Sequence, residues 1–195
     1  MAHGYVIPAE TIRAELVIHR SRFIATIGMA ESVETAREFI ARIRAEMPDA
    51  THHVYAFRVG FGSSVQEGLS DDGEPAGTSG KPAMAVLRGA DIGDVVLVVT
   101  RYFGGIKLGT GGLVRAYSSA AKAAIDLLPL TEKIETTEFA LTIPYTRYDQ
   151  LKRLAAKHHA AILSEEFTTA VTLTLRIPTD ALDAFSGYLA EHAEQ

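Results

Sequence analysis

Glycine is distributed very unevenly along this chain of 195 residues. Thirteen of the sixteen glycines lie between Gly60 and Gly112. Glycine is favoured where the backbone turns sharply or approaches another group closely, so in this segment backbone shape is specified more tightly than side-chain packing. The segment is therefore the part of the chain in which we look first for a functional site.

The stretch RYFGGIKLGTGGLVRAYSSAAKAAI, from Arg101 to Ile125, is the densest part of this segment. It follows the apolar run DVVLVVT, which predicts a strand buried on both faces. It leads into a run of small residues that predicts a helix beginning near Leu113. No acidic residue lies between Asp94 and Asp126. The basic residues of that interval are Arg101, Lys107, Arg115 and Lys122. This stretch is a candidate binding surface for an anion.

Two glycine pairs, Gly104-Gly105 and Gly111-Gly112, could expose successive backbone N–H groups to a phosphate, with the positive end of the helix beside them. The spacing matches neither a Walker A loop nor the G-x-G-x-x-G pattern of dinucleotide-binding proteins. The alternative is a tight strand–helix connection that has no room for a Cβ atom. The glycines alone leave both interpretations open.

The segment SDDGEPAGTSGKP, from Ser70 to Pro82, is rich in turn-forming residues and predicts a long ordered loop. Asp71, Asp72 and Glu74 could hold Mg²⁺ through water, with Lys81 orienting a phosphate. Alternatively, the aspartates cap their own turns. Adjacent histidines alternate across a strand and cannot share a metal ion, so we predict no metal site. No cofactor is predicted.

Composition narrows the classes of function. The chain has no cysteine, which excludes disulfides, zinc–cysteine sites, iron–sulfur clusters and thiol catalysis. The net charge of −5 means that any nucleic-acid binding depends on a local basic patch. The sequence suggests neither a secretory signal nor a membrane-spanning helix, so we expect a soluble cytoplasmic protein.

The remaining pattern predicts two domains, residues 1–130 and 131–195. In the first, extended structure from Thr11 to Met29 turns at Ser21-Arg22, and a helix capped by Ser32 ends at Pro48. Residues 129–138 are predicted to be a linker. The second domain follows in the order βαββα, which is typical of a split βαβ, ferredoxin-like module. The expected fold class is α+β.

Three segments together resemble the IMPACT / YigZ family: HHVYAFRVG, SDDGEPAGTSGKPAMAVL and DVVLVVTRYFGGIKLGTGGLVRAYSSAA. The resemblance implies that the first domain has the fold of the second domain of a small-subunit ribosomal protein, which also occurs in elongation factor G and GHMP kinases. It implies that the second domain is similar to the last domain of elongation factor G. Family members are linked to translation, and nucleic-acid or ribosome binding is the usual proposal for the bacterial ones.

The resemblance also identifies the residues that carry the family motif. These motif positions are Asp72, Gly73, Glu74, Pro75, Gly77, Thr78, Gly80, Pro82, Arg101, Gly104, Gly105, Lys107, Gly109 and Gly112, with His53 and Tyr55 as additions. The residues predicted to bind an anion or nucleic acid are Asp72, Glu74, Thr78, Lys81, Arg101, Tyr102, Gly104, Gly105, Lys107, Gly111, Gly112 and Arg115. Asp72, Glu74, Arg101 and Lys107 are expected to line one cleft.

Three functions remain open on the sequence. The first is a translation-associated regulatory protein that binds RNA or the ribosome, with Tyr102 or Phe103 stacking on a base. The second is an enzyme or binder for a phosphorylated or nucleotide-like small molecule. The third is a protein-interaction module without chemistry that acts through the acidic sheet of the second domain. A protein partner in translation control is also possible. Recognition of a specific DNA sequence or of a membrane is not expected. The first is the prediction taken forward.

Overall fold

The computed structural model describes residues 4–191. The strands are β1 (Tyr5–Pro8), β2 (Ile12–Ile18), β3 (Ser21–Met29), β4 (His52–Val59), β5 (Gln66–Ser70), β6 (Val95–Tyr102), β7 (Leu130–Lys133), β8 (Thr136–Ile143), β9 (Ala161–Phe167) and β10 (Val171–Pro178). The helices are α1 (Val33–Glu46), α2 (Gly80–Gly89), α3 (Gly109–Asp126), α4 (Tyr148–Lys157) and α5 (Leu182–Glu191). They form two compact units, of which the first is Tyr5–Glu132 and the second includes residues 133–191.

The first unit is built on a five-stranded sheet in the order β2-β3-β6-β4-β5, and every neighbouring pair is antiparallel. Helix α1 packs on one face of this sheet, and α2 and α3 pack on the other. The central strand β6 is therefore covered on both sides, as its unbroken apolar sequence predicts. This confirms the buried strand expected before the glycine pairs.

Alternation along β6 decides which side chains reach which face. Leu97 and Val99 belong to the core under α2 and α3. Val98, which lies between them in sequence, belongs to the core under α1. Because successive side chains in a strand point to opposite faces, Arg101 lies on the α2–α3 face and Tyr102 on the α1 face.

Helix α1 begins and ends as predicted. The Ser32 hydroxyl accepts from the Thr35 backbone N–H, the Thr35 hydroxyl accepts from the Ser32 N–H, and Met47 terminates the helix. The predicted turn at Ser21-Arg22 is wrong. The chain turns at His19 and Arg20, which have φ values of 45° and 66°, and Ser21 is already in β3. Glycine or asparagine usually marks such a turn, so this one carries no clear sequence signal.

Three predicted boundaries also need correction. The supposed loop 70–82 is shorter, because Ser70 ends β5 and residues 80–82 form the first turn of α2, where proline is tolerated. Helix α3 begins at Gly109 rather than near Leu113, so Gly111 and Gly112 are helical. The predicted linker 129–138 contains β7, which pairs with β1, and the start of β8.

The second unit has the predicted βαββα order. Its sheet runs β8-β10-β9, and β10 is antiparallel to both neighbours. Strands β8 and β9 are therefore parallel to each other, and α4 connects them, which is the split βαβ arrangement of a ferredoxin-like module. The two-domain α+β fold is confirmed. None of the helices described is long and apolar enough to cross a membrane.

Candidate functional site

Residues 71–79 connect β5 to α2 and are called the 71–79 connection below. A cleft of about 480 Å³ opens on the first unit where this connection faces the start of α3. Its lining includes His52 from β4, Glu74 from the connection and Arg101 from the end of β6. Phe103 and Lys107 line it from the segment between β6 and α3. The two glycine-rich segments therefore contribute to one cleft. A cleft of this size can hold a small molecule or a single nucleotide.

Below this cleft, three side chains form a buried hydrogen-bonded group. Arg101 donates from Nη1 to Glu74 Oε1 over 2.6 Å, and the Tyr117 hydroxyl of α3 donates to the same oxygen over 2.7 Å. The side chains of Arg101 and Glu74 are only 6% and 4% exposed. A buried ion pair needs further hydrogen bonds to offset the loss of hydration, and Tyr117 supplies one of them.

Two physical effects fix the geometry of this group. Burial raises the pKa of Tyr117, and the hydrogen bond to Glu74 raises it further, so the phenol remains a donor. The Arg101 guanidinium lies over the Phe23 ring at 5.3 Å and over the Phe103 ring at 5.4 Å. These cation–π contacts hold the guanidinium plane in place. Its Nε is buried without a hydrogen-bond partner among the described residues.

His52 adds an imidazole ring to the cleft. Its Nε2 is 3.9 Å from Glu74 Oε2, beyond hydrogen-bond distance. Its Nδ1 is 2.7 Å from the backbone carbonyl of Asp72. A carbonyl can only accept, so Nδ1 carries the hydrogen, and in the neutral ring Nε2 carries the lone pair. His52, Glu74, Arg101 and Tyr117 are called the Glu74 cluster below.

The two aspartates of the 71–79 connection have structural contacts. Asp71 accepts from the backbone N–H groups of Gly77, Ser79 and Gly80 and from the Ser79 hydroxyl. Burial raises the pKa of Asp71, but these hydrogen bonds outweigh it and hold the pKa below its usual value. Asp71 therefore caps the start of α2, in agreement with the capping alternative. Within residues 4–191 no group of three or more histidine and acidic side chains is arranged to hold a metal ion.

Asp72 anchors the connection to neighbouring elements. It has a positive φ of 46°, pairs with Arg44 of α1, and accepts the backbone N–H of His53 over 2.6 Å. It is not among the residues that line the cleft. Of the four residues expected to share a cleft, the structure brings Glu74, Arg101 and Lys107 to it and places Asp72 behind it.

Several predicted residues shape the backbone around the cleft. The Thr78 hydroxyl donates to the carbonyl of Pro75 and closes a turn. A Cβ atom on Gly104 would overlap the carbonyl group of Arg20, so this glycine allows two turns to touch. Gly105 has a φ of +83°, which other residues rarely adopt. The close-packing interpretation of the glycines therefore holds at Gly104, whereas Gly105 is required by its backbone conformation.

The remaining predicted residues are spread over the surface. Lys81 is exposed on α2, and Gly111 is exposed in the first turn of α3. Gly112 and Arg115 line a smaller depression of about 140 Å³ that also includes His19. Tyr102 lies on the opposite face of the sheet, where its hydroxyl donates to Asp49. Tyr102 therefore does not share a face with Arg101.

Sequence reasoning missed two side chains of this site as binding residues, His52 and Tyr117, and offered Phe103 as an alternative to Tyr102 for stacking on a base. His52 is paired with Arg101 across β4 and β6, which puts both on one face. Phe103 is 47% exposed and lines the cleft. Only the strand pairing reveals the histidine. The sequence did indicate Phe103, which is an aromatic residue close to Arg101.

The fold and the site define a class of protein: a two-domain α+β protein with a buried ion pair beneath a cleft and a split βαβ second domain. Residues 19–125 match the model of the Impact N-terminal domain, and residues 141–192 match a domain of unknown function, DUF1949. The chain belongs to the IMPACT family.

Its relatives cover nearly the whole chain. An IMPACT family member of Haemophilus influenzae is 42% identical over 96% of this chain and 91% of its own length. IMPACT family member YigZ of Escherichia coli is 38% identical over 96% and 93%. A crystal structure described as that of a hypothetical protein matches with a TM-score of 0.75 and 38% identity, covering 98% of this chain and 93% of that one.

Proposed function

We propose that this protein is a translation-associated regulatory protein that binds single-stranded RNA, free or on the ribosome, through the cleft in its first unit. One observation carries the proposal. The uncapped start of α3 and the exposed Lys107 meet at the cleft beside the half-exposed Phe103. An anion and an adjoining base are the ligand groups that suit this combination.

Each of these groups has a role in the proposal. No side chain within residues 4–191 caps the N-terminus of α3, so its first backbone N–H groups and the positive end of the helix dipole can receive a phosphate. The Lys107 ammonium adds a positive charge beside it. The Phe103 ring offers a face on which a base can stack whatever its identity.

A line of exposed cations continues along α3. Arg115 and Lys122 are seven residues apart, which puts them on one face of the helix about 10 Å from each other. Together with Lys107 they form no ion pair with any residue in the described range. The charge of Arg101, in contrast, is offset by Glu74. In this proposal Lys107, Arg115 and Lys122 contact phosphates, whereas Arg101 stabilises the floor of the cleft.

Membership of the IMPACT family supports the link to translation, since the resemblance implies that family members act there. The net charge of −5 supplies no long-range attraction to RNA, so binding depends on the local cations and is sensitive to salt. With three phosphates neutralised on a single strand, affinity falls roughly twentyfold between 50 and 200 mM salt.

Fluorescence anisotropy with a labelled single-stranded RNA tests the proposal. We expect binding at 50 mM salt that weakens about tenfold in the double variant Lys107→Ala, Arg115→Ala, with a smaller dependence on salt. Lys157 is an exposed lysine at the end of α4, and Lys157→Ala is the matched control. This variant should bind RNA as the unmodified protein does. Absence of binding at 50 mM salt, or equal affinity of the double variant, contradicts the proposal.

A further inference from the structure

The Glu74 cluster presents two unused hydrogen-bond acceptors to the cleft. Glu74 Oε1 already accepts from Arg101 and Tyr117, whereas Oε2 accepts no hydrogen bond from any described residue. In the neutral ring, His52 Nε2, 3.9 Å away, has its lone pair free because Nδ1–H donates to the Asp72 carbonyl. Glu74 and His52 both line the cleft.

A carboxylate whose side chain is 4% exposed, with one oxygen unpartnered, points to a ligand that donates hydrogen bonds. We infer that the cleft selects guanine. This inference rests on the proposed function and names the base that would stack on Phe103 while its phosphate lies at the start of α3.

The chemistry of the base edges carries this choice. Guanine presents two adjacent donors, N1–H and the N2 amino group, which can each reach one of the two acceptors. Adenine and cytosine present one donor beside a lone pair, and uracil presents one donor between two carbonyl groups. For these three bases a lone pair faces Glu74 Oε2 or His52 Nε2 without a hydrogen, which leaves a buried acceptor unpaired.

The cluster is built to keep these acceptors fixed. Arg101 and Tyr117 orient the carboxylate from below, and the Asp72 carbonyl sets which nitrogen of His52 bears hydrogen. Recognition of a guanine donor by an acidic side chain is most selective when the carboxylate cannot rotate away. The buried ion pair therefore serves the specificity of the cleft as well as its stability.

The test uses the anisotropy assay with three RNAs. They are a plain oligouridylate, the same oligomer with one internal guanosine, and the same oligomer with one internal adenosine. We expect the guanosine oligomer to bind about tenfold more tightly than the other two, which is the discrimination that two hydrogen bonds to a base edge supply. In His52→Ala, which removes one of the two acceptors, the preference for guanosine over adenosine should fall severalfold, and an unchanged preference contradicts the role of His52. His53→Gln alters the neighbouring histidine on the opposite face of β4 and should keep the preference.

The outcomes separate this inference from the proposed function. Equal affinity for all three oligomers overturns guanine selection and leaves RNA binding in place. If no RNA binds but guanosine monophosphate, and not adenosine monophosphate, raises the melting temperature, guanine selection stands and RNA as the source of the base is wrong. If neither RNA nor guanosine monophosphate binds, both are refuted.

Discussion

Three glycines of one motif should respond differently to the same substitution by alanine. Gly104, Gly105 and Gly111 lie within eight residues of sequence, and the sequence alone treats them alike. The structure gives each a different environment. The series Gly104→Ala, Gly105→Ala and Gly111→Ala therefore tests whether these glycines serve packing, backbone conformation or access to the start of α3.

The magnitudes follow from the surroundings of the added methyl group. At Gly104 it would overlap the backbone of Arg20, which cannot move as a side chain could, so we expect a loss of about 3 kcal/mol. At Gly105 an added Cβ would have none of the described residues within 4 Å beyond its own chain neighbours. The cost there is that of a φ of +83° for a residue with a Cβ, about 1–2 kcal/mol. At Gly111 the nearest atom is 3.9 Å away on Arg115, and alanine should stabilise the helix by about 0.5 kcal/mol.

Urea denaturation followed by circular dichroism measures these differences in the full-length protein, and hydrogen exchange of peptides from β3 and β6 assigns them to the first unit. We expect Gly111→Ala to be the most stable, followed by the unmodified protein, then Gly105→Ala, with Gly104→Ala the least stable. A Gly104→Ala variant as stable as the unmodified protein would refute the close approach of the two turns. Equal losses in all three variants would refute the reasoning as a whole.

Two further predictions concern buried polar side chains of the first unit. Tyr117→Phe removes the donor to Glu74 Oε1 and should lower the free energy of unfolding by about 2 kcal/mol, measured by urea denaturation; no change would mean that Glu74 is not anchored from α3. Burial lowers the pKa of His53, so the unfolded chain takes up a proton first as the pH falls through about 6.5, and stability decreases below that pH. His53→Gln should flatten this part of the pH–stability curve, and an unchanged slope would contradict that assignment.

Local sequence patterns were sufficient where the structure depends on near neighbours. The Ser32 cap and the periodicity of α1 lie within one stretch of chain, and so does the apolar run of β6. The βαββα order of the second unit could be predicted for the same reason. Each of its helices and strands has a clear hydrophobic period, and turn-forming residues separate them. The turn at His19 and Arg20 was missed because neither residue type is a usual marker of such a turn.

The sequence by itself determined the two-domain α+β organisation, the family motif and the two segments that form the cleft. Only the tertiary structure decided what Arg101 does, because its partner Glu74 is 27 residues away and Tyr117 comes from a different helix. Strand pairing placed His52 beside Arg101 and sent Tyr102 to the other face. Such contacts depend on the register of strands and on burial, neither of which a local pattern of residues specifies.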